Sequence, residues 1–160
     1  MSLTCRLHVN GAETSVNVDG LETLLTTLRE RLALLGAKRG CDQGVCGACT
    51  VLMDGLPVRA CLSLAANCEG NALTTIEALN RDPLGRDLQQ AFVDLGAVQC
   101  GFCTSGMLLT AYALLRGNPA AELDDVREAL SGNLCRCSGY RKIVEAVLHV
   151  ARSHRAETKP

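Results

Sequence analysis

Eight of the ten cysteines in this 160-residue chain fall into two sets of four. Cys41, Cys46 and Cys49 stand in a C-x4-C-x2-C arrangement, and Cys61 follows after eleven intervening residues. This is the plant-type ligand spacing for a [2Fe-2S] cluster. Two short gaps let one loop wrap three thiolates, while the fourth closes the cage from another element. Gly40, Gly44 and Gly47 suit such a loop. A residue without a side chain admits positive backbone angles and lets N–H groups approach sulfur. Those N–H groups stabilise negative charge and help set the potential of a bound cluster.

The second set is Cys100 and Cys103, two residues apart around Gly101 and Phe102, with Cys135 and Cys137 flanking Arg136. A C-x2-C alone is ambiguous, since zinc sites and redox dithiols use it. Placement narrows the choice. Cys103 lies where a helix should begin, with Thr104 or Ser105 as caps, and a helix N-terminus favours thiolate. Cys135 and Cys137 fall on a short loop after Ser131-Gly132-Asn133, which must bend to bring both sulfurs to one site. Four cysteines also suit tetrahedral zinc, which competes more strongly for the second set than for the first.

Composition excludes several functions. Sixteen basic against seventeen acidic residues leave a net charge of -1, so no positive field exists for nucleic acid or an anionic membrane. Two Tyr, two Phe and no Trp offer few stacking platforms. Met1 to Arg6 show no apolar signal core, and the apolar run Met107–Leu115 is too short to cross a bilayer. A reducing cytoplasm is the expected setting, with ligation preferred to disulfides. Cys5 reads as a small core residue and Cys68 as an inert thiol in a polar stretch. His8, His149 and His154 are scattered away from the cysteine pairs, which argues against Rieske-type ligation. Arg136, Arg141 and Lys142 read as solvated charge or as an offset to a cluster's charge.

Two kinds of element must position these residues. In the first half, Leu3, Cys5, Leu7 and Val9 alternate with polar residues as a half-buried strand does. Asn10-Gly11 marks a hairpin turn, and Ser15–Val18 returns. Leu24, Leu25, Leu28, Leu32 and Leu35 follow helical spacing, with Gly36 as the stop. Asp54-Gly55 separates strands at 50–53 and 57–59, and Leu73–Ile76 adds a last one. A small sheet on one helix is the economical arrangement. Beyond Glu77 the period becomes helical: 84–95, 106–115, 123–130 and 143–151 are four helices, of which the second, apolar nearly all round, should be buried in a four-helix bundle. The tail from Arg152 to Pro160 should fray. The boundary falls near Asn80–Pro83, giving domains at 1–78 and 79–160.

The stretches 40–50, 99–107 and 132–140 together resemble the small iron–sulfur subunit of the molybdenum hydroxylases, the xanthine dehydrogenase and aldehyde oxidoreductase family. The likeness runs from about Leu3 to about Val150. It implies an α+β chain, a β-grasp plant-type ferredoxin-like domain followed by an all-α four-helix-bundle domain, each holding one [2Fe-2S] cluster. It implies that Cys41, Cys46, Cys49 and Cys61 ligate the first cluster, and Cys100, Cys103, Cys135 and Cys137 the second. It further implies that Gln99 and Cys137 approach the molybdopterin of a large partner chain. Electrons would pass from the molybdenum–pterin site through the helical cluster and then the plant-type cluster to a flavin (FAD) subunit or another acceptor. This chain alone would turn over no substrate. The sequence departs from the family at Ser105, where Pro is usual; Ser can cap the helix instead. Two other readings stand beside this one, a free-standing two-cluster ferredoxin carrier and a zinc-stapled interaction module. The low net charge disfavours a carrier that relies on electrostatic steering.

Overall fold

The computed structural model describes residues 2–157. Five strands form one mixed sheet: β1 (Ser2–Val9), β2 (Ala12–Asp19), β3 (Thr50–Met53), β4 (Leu56–Arg59) and β5 (Ala72–Thr74), in the order β2-β1-β5-β3-β4. The first and third connections are tight because Asn10-Gly11 and Asp54-Gly55 all take positive φ, 54°, 84°, 51° and 83°. That is the backbone twist a two-residue hairpin needs. β5 runs parallel to β1 and antiparallel to β3, so the chain's two hairpins are joined through its shortest strand.

On one face of the sheet, Cys5, Leu7, Val16, Val18, Val51 and Leu73 bury against Leu24, Leu25 and Leu28. Leu3 shares their phase but is 44% exposed at the strand's outer end. The helix expected through Leu35 ends sooner. A short α1 (Leu24–Thr26) continues as one π-helical turn, Thr27–Arg31, and stops there. The reason is local: Ala33 takes φ 55°, and the Arg29 guanidinium donates to the carbonyls of Leu35 (3.1 Å) and Ala37 (2.8 Å). These bonds draw the chain back toward the sheet and leave Leu35 53% exposed.

After β5 the chain crosses a 3-10 segment, Ile76–Arg81. Ile76 therefore does not extend the strand but packs against the second core. Four α-helices follow: α2 (Pro83–Asp94), α3 (Thr104–Gly117), α4 (Leu123–Leu130) and α5 (Arg141–Glu157). Asp82 caps α2, its Oδ1 accepting from the amides of Leu84 (3.0 Å) and Gly85 (3.4 Å), with Pro83 in the first turn. α3 buries Met107, Leu108, Leu109, Ala111 and Leu115, as its all-round apolar pattern requires. α5 runs six residues past Ala151 where fraying was expected. His154 Nε2 meets Asp87 Oδ2 at 2.8 Å, and Arg155 reaches the carbonyl of Ala120 and Glu122 Oε1. Thr158 to Pro160 lie outside the described residues.

The two cores are not separate bodies. β3 is buried on both faces: Val51 belongs to the sheet core, while Leu52 joins Leu79, Leu88, Phe92 and Met107 in the helical one. α3 therefore lies directly on β3, just C-terminal to the first cysteine loop.

Candidate metal centres

The first three cysteines sit on the loop between the π-helical turn and β3, and Cys61 follows β4. Main-chain amides point into this loop. Cys41 Sγ accepts from the amides of Gln43 and Cys46, both at 3.3 Å, and Cys46 Sγ accepts from the amide of Cys41 at 3.4 Å. Those donors favour thiolate, and the Cys41 thiol is pulled down to about 6 by the amides of Cys46 and then Gln43. Cys49, buried with Cys61 beside it, is pushed up to about 11, chiefly by loss of water. The glycines provide closeness, and Gly44 and Gly47 take positive φ. A Cβ on Gly40 would stand 2.9 Å from Cys46 Sγ, and Gly47, at φ 71°, would place one 2.5 Å from the carbonyl of Gly132.

The second four lie at helix ends. Cys100 and Cys103 precede and cap α3, and Cys135 and Cys137 occupy the bend between α4 and α5. The bend brings the pairs together: Cys137 Sγ lies 3.6 Å from Cys100 Sγ, and Cys135 shares a thiol hydrogen bond with Cys103. Cys103 is pushed up to about 12, first by burial and then by Cys135. Cys135 is also partly buried, but its sulfur accepts from the Ser138 hydroxyl (3.1 Å) and amide (3.4 Å), and the donors win, leaving it below the usual thiol range. Cys137 is raised by its partner Cys100. Cys100, Cys137 and Gln99 are exposed.

In both places the sulfurs meet in twos: Cys41 with Cys46 and Cys49 with Cys61, then Cys100 with Cys137 and Cys103 with Cys135. A binuclear cluster with four thiolates takes two on each iron, so the donor type, number and pairing fit a [2Fe-2S] group at each place.

Sequence reasoning missed two supports of the second place. The Tyr140 hydroxyl accepts from the Cys135 amide at 3.1 Å and donates to the Asn133 carbonyl at 2.9 Å, tying the bend, and Ser138 donates to Cys135. Both stand within five residues of the cysteines; the signal available was a hydroxyl beside a bend with unpaired backbone groups. Ser105 does not cap α3. Cys103 occupies the cap, and the Ser105 hydroxyl donates to the carbonyl of Gly36 at 2.7 Å, because α3 begins against the first half of the chain. Arg141 and Lys142 turn to Glu145 at 2.9 and 3.4 Å rather than to the sulfurs. Cys68, expected in a polar stretch, is as buried as Cys5 and donates to the Leu64 carbonyl; burial raises both thiols. All ten cysteines are free of disulfides.

Two sequence families match: a 2Fe-2S iron-sulfur cluster binding domain over residues 6–96 and a [2Fe-2S] binding domain over 75–148. The chain is 54% identical over 142 residues to the nicotine 6-hydroxylase small subunit of Paenarthrobacter nicotinovorans, covering 89% of this chain and 86% of that one. It superposes on a chain of quinoline 2-oxidoreductase from Pseudomonas putida 86 with TM-score 0.90 at 44% identity, covering 97% of each. The aldehyde oxidoreductase from Desulfovibrio desulfuricans matches with TM-score 0.89 at 40% identity over 96% of this chain, which corresponds to only 17% of that one.

Proposed function

Because the chain belongs to the small iron–sulfur subunits of the molybdenum hydroxylases, we propose that Cys41, Cys46, Cys49 and Cys61 hold one [2Fe-2S] cluster and Cys100, Cys103, Cys135 and Cys137 the other. When bound, the two clusters supply one-electron storage between a molybdenum–pterin site in a large partner chain and a flavin subunit or another acceptor. The observation that carries this is the meeting of the eight sulfurs in twos, with backbone amides on Cys41 and the Ser138 hydroxyl on Cys135.

The chain's own residues do three things. The amides of Gln43 and Cys46 and the hydroxyl of Ser138 stabilise added negative charge on the sulfurs they face. Burial of Cys49 and Cys61 keeps water from one end of the first site. Exposure of Cys100 and Cys137 leaves one end of the second site open to a partner. Gln99 lies beside that open end, which supports its contact, with Cys137, to the pterin of the large chain. Val98 and Phe102, 39% and 47% exposed, give the same end an apolar rim.

By this reading, 1–78 is a β-grasp ferredoxin-like domain and 79–160 a four-helix bundle, working inside an oxidoreductase complex in the cytoplasm. The free thiols suit a reducing compartment. Among the described residues no helix is long and apolar enough to cross a membrane. The expected partner set is the large molybdenum chain and a flavin chain, and the unit's likeness to one segment of a longer oxidoreductase supports a built-in wire over a diffusing carrier. Purified anaerobically with its partners, the chain should carry about four irons and four sulfides and give two reduced-state EPR signals. Material with one signal, or elution of native extract near 17.0 kDa, would overturn the reading.

A further inference from the structure

Asn133 is 2% exposed and carries no cluster chemistry itself. Its amide Nδ2 donates to the Gly47 carbonyl at 3.1 Å and to Thr50 Oγ1 at 3.4 Å, and its Oδ1 accepts from Thr110 Oγ1 at 3.1 Å. Its neighbours are tied to the first half of the chain as well. The Arg59 guanidinium donates to the Gly132 carbonyl at 2.5 Å, and the Leu134 amide donates to the Cys46 carbonyl at 2.8 Å. Asn133 and Leu134, just before Cys135, thus clasp the first cysteine loop at Gly47 and Cys46 and the start of β3, while Gly132 is held by Arg59 at the end of β4. The fit leaves no room for side chains, since a Cβ on Gly106 would lie 2.3 Å from the Gly47 carbonyl. Between Cys135 and Cys46 the path is one peptide link and one hydrogen bond.

We propose that Asn133 is a positioning residue for electron transfer between the two centres, holding the Leu134 amide on the Cys46 carbonyl and so fixing their coupling. Held by Thr110 on α3 and holding Gly47, this buried amide locks the separation of the two cysteine sites. The proposal rests on the two-cluster reading above. With a cluster held at each place, the electron given up on the Cys135 side would be the one received on the Cys46 side, with no bond formed or broken and no proton moved.

The test uses the complex with its partner chains, in wild type, Asn133→Ala and Thr110→Val. Iron and sulfide content, the magnetic interaction between the two reduced centres by EPR, and the rate of electron equilibration after a reducing pulse are measured. Asn133→Ala should keep its iron, change the spin–spin splitting, and slow equilibration several-fold. Thr110→Val, similar in shape but without the hydroxyl, should do the same to a smaller extent. A fully loaded Asn133→Ala complex with wild-type splitting and rate overturns the proposal. If that variant does not load, unchanged splitting and rate in Thr110→Val overturn it instead. A wild-type complex lacking a second centre would sink the two-cluster reading, and that result comes before any variant is made.

Discussion

The two cysteine sites reach similar ends by different means. At the first, the donors facing sulfur are main-chain amides on a glycine-rich loop, from Gln43, Cys46 and Cys41. At the second, side chains join the main chain: the Ser138 hydroxyl as well as its amide faces Cys135, and Tyr140 braces the bend. A main-chain donor survives any side-chain substitution that leaves the loop's path intact, whereas a hydroxyl is lost with one mutation. The first site should therefore yield only to changes that move the backbone, and the second to single polar deletions.

The largest expected effect tests whether the sites are independent at all. Cys46→Ala and Cys135→Ala should each lower iron from about four to about two per chain and abolish one EPR signal. The surviving signal should be the other site's. Loss of both signals from either variant would mean that the clasp between Cys46 and Leu134 makes them one folding unit, and the contrast between them would collapse.

The same contrast explains what the sequence made legible. Ligand spacing is a local property, so Cys41, Cys46 and Cys49 are readable together, and the hairpins at Asn10-Gly11 and Asp54-Gly55 follow from residues that tolerate positive φ. Helices α2 to α5 follow from period and caps. What stayed hidden depends on distant partners. The early end of the helix at Arg31 turns on the Arg29 guanidinium finding carbonyls at Leu35 and Ala37. The hydroxyl of Ser105 finds Gly36 across 69 residues instead of capping its own helix. Leu52 looks like any strand residue, yet it belongs to the helical core because α3 lies on its face. None of these partners is within reach of a periodicity argument.

A smaller effect should follow from Gly47→Ala, set against Gly11→Ala. Both positions have positive φ, 71° and 84°, where a Cβ costs about 1–2 kcal/mol. At Gly11 a Cβ meets nothing within 4 Å, so that is the whole cost, read as a lower unfolding temperature with both EPR signals intact. At Gly47 the Cβ would stand 2.5 Å from the Gly132 carbonyl and 2.7 Å from Asn133 Nδ2. The backbone must shift, and because those atoms lie just before Cys135, both signals should change. A change confined to the first signal would show that the clasp is slack.

The most selective effect is expected at Tyr140. Its hydroxyl serves the Cys135 amide and the Asn133 carbonyl at once, so Tyr140→Phe leaves two backbone groups of the bend without their partner. Each partly buried orphan costs about 1–3 kcal/mol at most, less where water can enter. The ring stays in place, so the helices should hold, and the loss should appear as faster release of iron from the second site to a chelator with the first site's release unchanged. Ser138→Ala goes one step finer: it removes the 3.1 Å hydroxyl donor to Cys135 but keeps the 3.4 Å amide. Less stabilisation of negative charge should lower the second site's reduction potential while the first stays fixed. No equivalent single deletion exists at Cys41, where both donors are backbone. If Ser138→Ala left the second potential unmoved, hydroxyl donors would not be tuning that site, and the division between a main-chain site and a side-chain site would lose its chemical meaning.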